Sequence, residues 1–450
     1  MNAEIYEFYD YVTPFQHESD IRSRVVDRVQ DVLRRANNVP SSRDVQVLAF
    51  GSYACGLYLP TADMDLVAVS PQFHARGQVT YAKSARDVYK LSGHFVKSGL
   101  CLDNVSVPIP HARVPIIKFA EKRSGIKVDI SFENASGLHA NGTFERWKEQ
   151  FPHMPILVML IKQLLNMRGL NEVPTGGIGG FTTICLVVSM LQHMPPRQLE
   201  TSSMADLLLE FLNLYGSRFD FRRTGIRMEP PGLFDKRSAR SQVRCKINME
   251  RLTIIDPNLE TNDIAGGSKN IADVFRIFRD AHDALRERMA EVRGNRSDQN
   301  SILGCILGGN YRSFDDARHN LLQVSGQPSS RMAQILPPSP LPRESQEGHP
   351  DYRSIPPPAQ FSRQASDPRF QQDYPQYSNG PRFNPINTMQ HTNLQSNYSS
   401  STPQHLAQPP PIQPGSAGSQ PNQQMYGTPL PWNAPSAWNL GGGYSYGRPY

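Results

Sequence analysis

The 450-residue sequence is poor in cysteine and contains no long apolar run. Its five cysteines are odd in number and form no close Cys-x-x-Cys pair, which argues against a disulfide framework and a zinc site. The longest apolar runs, 156–161 and 184–191, are too short for a membrane helix, which needs about 20 residues. The first residues are acidic and amphipathic, so we expect no signal peptide. These absences predict a soluble intracellular protein without a membrane anchor.

Neither sign of charge dominates the composition. The 47 basic and 41 acidic residues give a net charge of +6 and an isoelectric point near 9.0. This excess favours a polyanionic partner only modestly.

The C-terminal part of the chain lacks lysine altogether and shows no apolar periodicity. Proline runs such as 336–340, 356–358 and 408–411 lie among Gln, Asn, Ser and Tyr. Such a segment cannot bury enough surface to offset its ordering entropy, so we expect a disordered tail. Its spaced tyrosines could support weak association, although a passive tail is the simpler interpretation.

A Gly-Ser turn followed by a pair of aspartates is the most informative local pattern. Residues 45–50 read as a strand, Gly51 and Ser52 make a tight turn, and 53–59 are predicted to form a short helix. Backbone amides beside a small hydroxyl suit a phosphate group. Asp63 and Asp65 are two apart on the next predicted strand, so both carboxylates project from one face. A carboxylate pair beside a phosphate seat suits Mg²⁺ and a nucleoside triphosphate.

A third acid strengthens this interpretation, because an Asp-x-Asp pair alone is often a solvated turn. In the alternating segment 127–132, Val128, Ile130 and Phe132 share one face and leave Asp129 on the other. Three carboxylates on adjacent strands can hold the two metal ions, about 4 Å apart, that in-line phosphoryl displacement uses. The sequence therefore predicts a nucleotidyltransferase. A glycosyltransferase, conceivable from Asp-x-Asp alone, does not explain the Gly-Ser turn.

The organisation of the chain changes near residue 150. An amphipathic helix is predicted over 20–35, and short strands alternate with short helices over 43–132. From Pro155 the pattern is helical, with further helices predicted over 182–192, 204–214 and from 271 to just before Gly294. We expect an α/β catalytic domain followed by a helical domain.

The stretches 50–67, 115–119, 128–132, 168–181 and 255–265 together resemble the polymerase-β-like nucleotidyltransferases, and most closely the non-canonical poly(A) polymerases of the nuclear TRAMP complex. The resemblance implies an α+β fold with a mixed catalytic sheet and a helical poly(A)-polymerase-associated domain. It implies an N-terminal helix (1–40) packing with the central domain, a catalytic domain (41–145), the helical central domain (146–320) and a disordered tail (321–450).

The resemblance also assigns roles to individual residues. Those expected to be catalytic and to bind metal are Asp63, Asp65 and Asp129, and those expected to bind nucleotide are Gly51, Ser52, Asn141, Lys162, Phe181 and Asn262.

Several of these assignments have plainer alternatives. Lys162 could be a lysine that snorkels at the edge of an apolar helix rather than a ligand of the triphosphate. Phe181 is expected to stack on the incoming base, which tolerates any base. Asn262 could form hydrogen bonds to adenine or could cap a turn. Uridine-adding relatives have a histidine near this position, so the asparagine favours ATP. Asn141 is a ribose ligand only if the register after Asp129 is right, because the asparagine of those relatives aligns with Ala140.

The implied function is template-independent transfer of AMP from ATP, with Mg²⁺ or Mn²⁺, to RNA 3′ ends, marking nuclear RNAs for exosome decay. A terminal uridylyltransferase of the same fold and a catalytically idle RNA-binding scaffold remain alternatives. Because the sequence carries no RRM, KH or zinc-knuckle signature, the implied partners are a zinc-knuckle RNA-binding subunit and an RNA helicase, and the implied location is the nucleus or nucleolus. A basic cluster could guide RNA or simply be a solvated hairpin; it comprises Arg218, Arg222, Arg223, Arg227, Lys236, Arg237, Arg240, Arg244 and Lys246.

Overall fold

The computed structural model describes residues 1–326 apart from 37–38, 40–41, 242 and 295–300, with backbone only for 240–241. A five-stranded sheet is built from β1 (Gln46–Phe50), β2 (Met64–Val69), β3 (Cys101–Ile109), β4 (Ile116–Glu121) and β5 (Lys127–Phe132). Its order is β1-β2-β5-β4-β3. β2 and β5 run parallel and the other neighbours antiparallel, so the predicted mixed sheet is confirmed.

Helices account for most of the remaining described chain. In chain order they are α1 (Asn2–Val12), α2 (Gln16–Arg34), α3 (Gly51–Ala54), α4 (Pro71–Arg76), α5 (Ala85–Lys97), α6 (Ser136–Gln150), α7 (Met154–Asn166), α8 (Gly180–His193), α9 (Pro196–Thr201), α10 (Met204–Asn213), α11 (Ile271–Gly294), α12 (Gly304–Leu307) and α13 (Arg312–Ser325). None of the helices in these described ranges is both long and apolar enough to cross a bilayer.

The apolar side of the sheet is buried under α2 and α5. Val25 and Val29 from α2 and Leu91 and Phe95 from α5 join Ile130 of β5 in one core. α2 begins earlier than its apolar stripe predicts, because the Glu18 carboxylate accepts the Phe15 N–H at 2.8 Å and caps the first turn.

A second core lies among α6, α7, α8, α10 and α11. α1 packs into this helical core through Ile5 and Phe8, whereas α2 packs on the catalytic sheet. The predicted N-terminal unit 1–40 is therefore wrong as a single unit packing with the central domain. The break falls at 13–15, where Pro14 interrupts the helical hydrogen bonding.

A second sheet of four strands lies within the later part of the chain. Its strands are β6 (Thr224–Arg227), β7 (Gly232–Asp235), β8 (Ile254–Asp256) and β9 (Leu259–Asp263), in the order β7-β6-β8-β9. Residues 256–263, expected from the resemblance to form the nucleotide-recognition loop, thus lie in the hairpin β8–β9 and not in a capping turn.

The last described helix, α13, packs back on the catalytic domain. Leu321 lies in the core of the sheet, and the buried Arg318 guanidinium pairs with Glu18 at 3.1 Å and donates to the Thr13 carbonyl. The predicted boundary at 320/321 therefore cuts a packed helix and is wrong. The predicted disorder of the tail concerns residues beyond 326, which lie outside the described part of the chain.

Candidate active site

Strand register brings the second and third aspartates together. In the parallel pair β2–β5, Asp65 lies directly opposite Asp129, and in the antiparallel pair β1–β2 it lies opposite Phe50. Asp63 precedes the first residue of β2 rather than lying on that strand as predicted, and its side chain is exposed. The end of β1 and the carboxylates of β2 and β5 therefore share one edge of the sheet.

The Gly-Ser turn fits tightly against this edge. Gly51 has φ +70°, and a Cβ there would approach Asp65 Oδ2 to 2.8 Å, so a side chain at 51 would collide with the carboxylate. The helix predicted over 53–59 is wrong in its bounds, because α3 begins at Gly51 and ends at Ala54. Beyond α3 the chain turns through the bond from the Leu57 N–H to the Ser52 carbonyl, at 2.9 Å.

Asn141 on α6 holds the Gly-Ser turn to the end of β1. Its Oδ1 accepts the Gly51 N–H at 3.2 Å, and its Nδ2 donates to the Ala49 carbonyl at 3.1 Å. The Gly51 amide is therefore occupied by a protein acceptor, and Asn141, predicted as a ribose ligand, engages the backbone with both ends of its amide. Its structural role is to fix the turn beside Asp65.

The carboxylates repel one another within this partly buried edge. Burial, followed by the charges of Asp63 and Asp129, raises the pKa of Asp65 to about 7. Burial also raises the pKa of Asp129, and Lys118 limits that rise. The site carries more negative charge than its surroundings neutralise, which is the electrostatic condition for binding a hard cation.

Lys118 lies among these acids, and the analysis of the sequence missed it. It faces Asp129 across the antiparallel pair β4–β5, and its ammonium donates to Asp129 Oδ2. Burial lowers the pKa of Lys118, but the hydrogen bond to Asp129 and the three aspartate charges outweigh burial and raise it. The alternating pattern of 116–121 could have indicated that Lys118 lies on the polar face of a strand. That it faces Asp129 follows only from the register of β4 and β5.

Lys162 on α7 reaches the same edge from the helical domain. Its ammonium donates to the Leu57 carbonyl at 2.6 Å. Burial lowers the pKa of Lys162 to about 8, and the charges of Asp63 and Asp65 oppose this shift. The side chain as a whole is half-buried, but its charged end points into protein next to the aspartates. The snorkelling alternative, which requires the ammonium to lie in water, does not fit this placement.

Phe181 and the β8–β9 hairpin that carries Asn262 both contact α6. The Phe181 ring, at the start of α8, packs edge-on against Phe144 of α6 with ring centroids 5.0 Å apart, and it remains partly exposed. The neighbouring Thr143 donates to Asn258 in the turn between β8 and β9 at 2.9 Å. α6 thus connects the Gly-Ser turn, the aromatic ring and the recognition hairpin.

Asn262 on β9 is held between two charged groups. Its Nδ2 donates to Oδ2 of the buried Asp256 at 2.9 Å, while its Oδ1 accepts from Arg113 Nη1 at 3.3 Å. Arg113 belongs to the turn between β3 and β4 of the catalytic domain. This contact joins residues 149 positions apart, and nothing in the local pattern around Arg113 indicates it.

Within the ranges that the structure describes, no three acidic, histidine or cysteine side chains converge closely enough to surround one ion. The three aspartates share an edge without forming a closed cage, since their charges repel and Lys118 engages Asp129. The sheet thus places the carboxylates of Asp65 and Asp129 side by side without enclosing a site between them.

Four of the nine residues of the basic cluster form ion pairs with nearby acids. The ion pairs are Arg218–Glu210, Arg222–Glu250, Arg223–Asp235 and Arg244–Glu260. Lys236 is buried and donates to the carbonyls of Phe221, Asn248 and Arg251. The side chain of Arg240 lies outside the described part of the chain. This arrangement favours a stabilised hairpin region over a surface devoted to RNA.

Two family descriptions match separate parts of the chain. "Poly(A) RNA polymerase, mitochondrial-like, central palm domain" matches residues 1–149, and "Cid1 family poly A polymerase" matches residues 203–262. The first covers the catalytic sheet, and the second ends at Asn262.

Individual proteins extend this likeness. Poly(A) RNA polymerase protein 2 of Saccharomyces cerevisiae is 35% identical over 330 residues, which cover 71% of this chain and 54% of that protein. A Drosophila melanogaster protein named as an inactive non-canonical poly(A) RNA polymerase is 32% identical over 68% of this chain and 72% of its own length. The solved polymerase core of TRAMP, described as an RNA surveillance complex, is 34% identical, with TM-score 0.58 over 68% of this chain and 94% of that one.

The chain spans about half the length of the yeast relative, and the fly relative is named as inactive. Family and activity are therefore separate questions. The identity, the coverage and the shared fold decide the first: this chain belongs to the non-canonical poly(A) RNA polymerases, within the polymerase-β-like nucleotidyltransferase superfamily.

Proposed function

We propose that the chain is a template-independent RNA adenylyltransferase that adds AMP from ATP to RNA 3′ ends. The observation that carries this proposal is the register of β2 and β5, which sets Asp65 beside Asp129 at the edge bordered by Gly51. An idle scaffold has no need for a glycine that leaves room for a partly buried carboxylate. The same edge suits any nucleoside triphosphate, so the choice of ATP rests on other residues.

Divalent cations fit the chemistry of this donor set. Asp63, Asp65 and Asp129 offer carboxylate oxygens, the ligands that Mg²⁺ and Mn²⁺ prefer, and burial together with the charges of Asp63 and Asp129 raises the pKa of Asp65. When bound, such ions would supply electrostatic activation of the 3′-hydroxyl and stabilisation of the leaving pyrophosphate.

The chain's own residues position the nucleotide. Lys162 would exchange its bond to the Leu57 carbonyl for an oxygen of the triphosphate, which offers a charge-assisted and stronger bond. Ser52 would contact the phosphates, while Gly51 keeps the turn against Asp65. Phe181 would stack on the base without discriminating among bases. Catalysis is then largely positioning and electrostatics.

Base choice falls to Asn262, whose amide can donate to the ring nitrogen of adenine and accept from its amino group. The alternative of a terminal uridylyltransferase differs only in such contacts. The alternative of an idle scaffold is kept open by the fly relative named as inactive. Against it, this chain retains all three aspartates and the lysine beside them.

The wider role follows the polymerase core of TRAMP, named as an RNA surveillance complex. We place the protein in the nucleus, where it would mark RNAs for exosome decay. Because four of the nine residues of its basic cluster are ion-paired and a fifth, Lys236, is buried, it would hold RNA weakly and act with a zinc-knuckle RNA-binding subunit and an RNA helicase. In domain terms, the catalytic unit spans about 41–145 and the helical unit follows, with α1 belonging to the helical unit.

Primer extension tests this function directly. The purified full chain is given a labelled oligo(A) primer, Mg²⁺ and each of the four nucleoside triphosphates in turn. Short, distributive extension with ATP is expected, with weaker use of the others. Comparable use of UTP would overturn the adenylyl assignment, and no extension with any nucleotide would favour the scaffold.

The partners require a separate test. Affinity capture of the full chain from nuclear extract, analysed by mass spectrometry, should recover a zinc-knuckle protein and a helicase. Robust processive tailing by the chain alone would contradict the need for partners.

A further inference from the structure

We propose that Arg113 determines base selectivity by locking the side-chain amide of Asn262 in one orientation. This inference rests on the proposed function of Asn262 and extends it to a residue from the domain of the first sheet. Arg113 lies in the turn between β3 and β4, whereas Asn262 lies on β9 of the second sheet. The hydrogen bond between them, at 3.3 Å, therefore joins a turn of the first sheet to a strand of the second sheet.

The charges on either side of Asn262 allow only one amide orientation. A guanidinium has donors and no acceptor, so the atom facing Arg113 must be the amide oxygen. The buried Asp256 carboxylate accepts at Oδ1 from the Asn258 N–H and at Oδ2 from Asn262, so the atom facing it must be the amide nitrogen. A rotation of the amide by 180° would break both bonds at once.

Amide orientation matters because nucleobases fall into two complementary classes. Adenine and cytosine present an exocyclic amino donor beside a ring-nitrogen acceptor. Uracil and guanine present an exocyclic carbonyl acceptor beside a ring N–H donor. The amide of Asn262 retains one N–H and one lone pair, and these can match either class. A freely rotating asparagine would serve both classes, whereas a locked one serves only one class, which under the proposed function is that of adenine.

Removal of the lock should therefore change which nucleotides are accepted and not merely how tightly they bind. In Arg113→Met, the side chain keeps much of its length but loses its donors, and Asp256 alone restrains the amide. We expect kcat/KM to rise for UTP and GTP relative to ATP by about tenfold, the equivalent of one hydrogen bond. The value for CTP relative to ATP should stay unchanged, because cytosine belongs to the class of adenine.

The matched control is Arg86→Met, which removes one exposed arginine from α5 of the same domain. It should lower RNA association to a similar extent but leave every nucleotide ratio unchanged. A double-variant cycle supplies the second control: in an Asn262→Ala background there is no amide to orient, so Arg113→Met should no longer alter the ratios. Arg113→Lys, which retains a donor, should lie between wild type and Arg113→Met.

Calorimetric titration of the same proteins with ATP, UTP, GTP and CTP separates this inference from the proposed function. Selective binding of ATP without primer extension would contradict adenylyl transfer yet support the lock, provided that Arg113→Met raises affinity for UTP and GTP. An equal gain for all three competing nucleotides would show a merely loosened site and overturn the inference. Unchanged ratios in Arg113→Met would overturn it as well.

Discussion

Two sides of the candidate active site, the acidic side and the recognition side, are built by different physical means. The acidic side is a sheet edge, where main-chain register sets Asp65 beside Asp129 and Gly51 packs against the first of them. The recognition side is a short hairpin, where Asn262 is held by bonds to the side chains of Asp256 and Arg113.

This difference separates the residues proposed to carry out the reaction from those proposed to select the nucleotide. A sheet register cannot change by one residue without reversing every side chain between the two faces, so the acidic edge tolerates little variation. A side-chain bond in a partly exposed hairpin can be replaced at the cost of about 1 kcal/mol. Family members can accordingly share the catalytic edge while differing in the nucleotide they accept.

The largest expected effect comes from destroying the acidic side. Asp63→Ala combined with Asp65→Ala should lower primer extension by at least roughly 10³-fold, because the donors for both cations are lost. Circular dichroism should match that of wild type and Tm should not fall, since Asp63 is exposed, the sheet keeps its register and the repelling Asp65 carboxylate is removed. Extension at the wild-type rate would refute the site assignment.

Lys162 should show its effect through pH. Its pKa of about 8 means that the ammonium is charged below pH 8 and loses its proton above it. The value of kcat/KM for ATP should therefore fall as pH rises from 8 to 9.5, and Lys162→Arg should remain flat over this range. Lys162→Met should be lower by roughly 10- to 100-fold at pH 7 and insensitive to pH. A wild-type profile that stays flat to pH 9.5 would contradict this role.

The repulsion at the acidic edge should appear in stability. Asp65 has a folded-state pKa near 7 against an ordinary value of 3.8, so folding loses stability as pH rises from 4 to 7. Without divalent cations, Asp65→Asn should exceed wild type by about 1–2 kcal/mol at pH 8, a Tm gain of a few degrees. The gain should shrink toward pH 4. Calorimetric melting in EDTA checks this, and a gain independent of pH would show another origin.

The smallest effect is expected from removal of residues 327–450, which lack apolar periodicity and contain none of the candidate site residues. A chain ending at Gly326 should keep its Tm and its rate of extension within about twofold, because α13 still packs on the sheet through Leu321 and Arg318. A chain ending at Tyr311 should melt lower, because Glu18 is then left buried without its partner. Inactivity of the longer form would show that the tail supports the catalytic body.

The acidic side could be predicted from sequence because its information is local. Alternating apolar residues in 127–132 assign Asp129 to the polar face of its strand, and the spacing of Asp63 and Asp65 indicates a shared site. The predictions that were wrong concern the bounds of elements, which depend on contacts with residues distant in sequence. Asp63 lies just outside its strand, and α3 begins at Gly51 because the turn is held by Asn141.

The remaining features needed long-range pairing. Lys118 faces Asp129 only because β4 and β5 are antiparallel in one particular register. The division of the N-terminal region between two cores depends on where α13 returns, some 300 residues later in the chain than Glu18. The contact between Arg113 and Asn262 joins a turn of the first sheet to a strand of the second, and neither local sequence indicates the other.

One competition assay tests most directly whether the aspartates determine the rate of the reaction while Arg113 and Asn262 determine which nucleotide is used. Wild type, Asp129→Asn and Arg113→Met each extend an oligo(A) primer with equal ATP and UTP, and the tails are sequenced. Asp129→Asn should lower total incorporation by roughly 100-fold or more without altering the ratio of AMP to UMP. Arg113→Met should keep total incorporation within a few-fold of wild type and lower that ratio about tenfold. A shifted ratio in Asp129→Asn, or a collapse of total incorporation in Arg113→Met, would contradict the account.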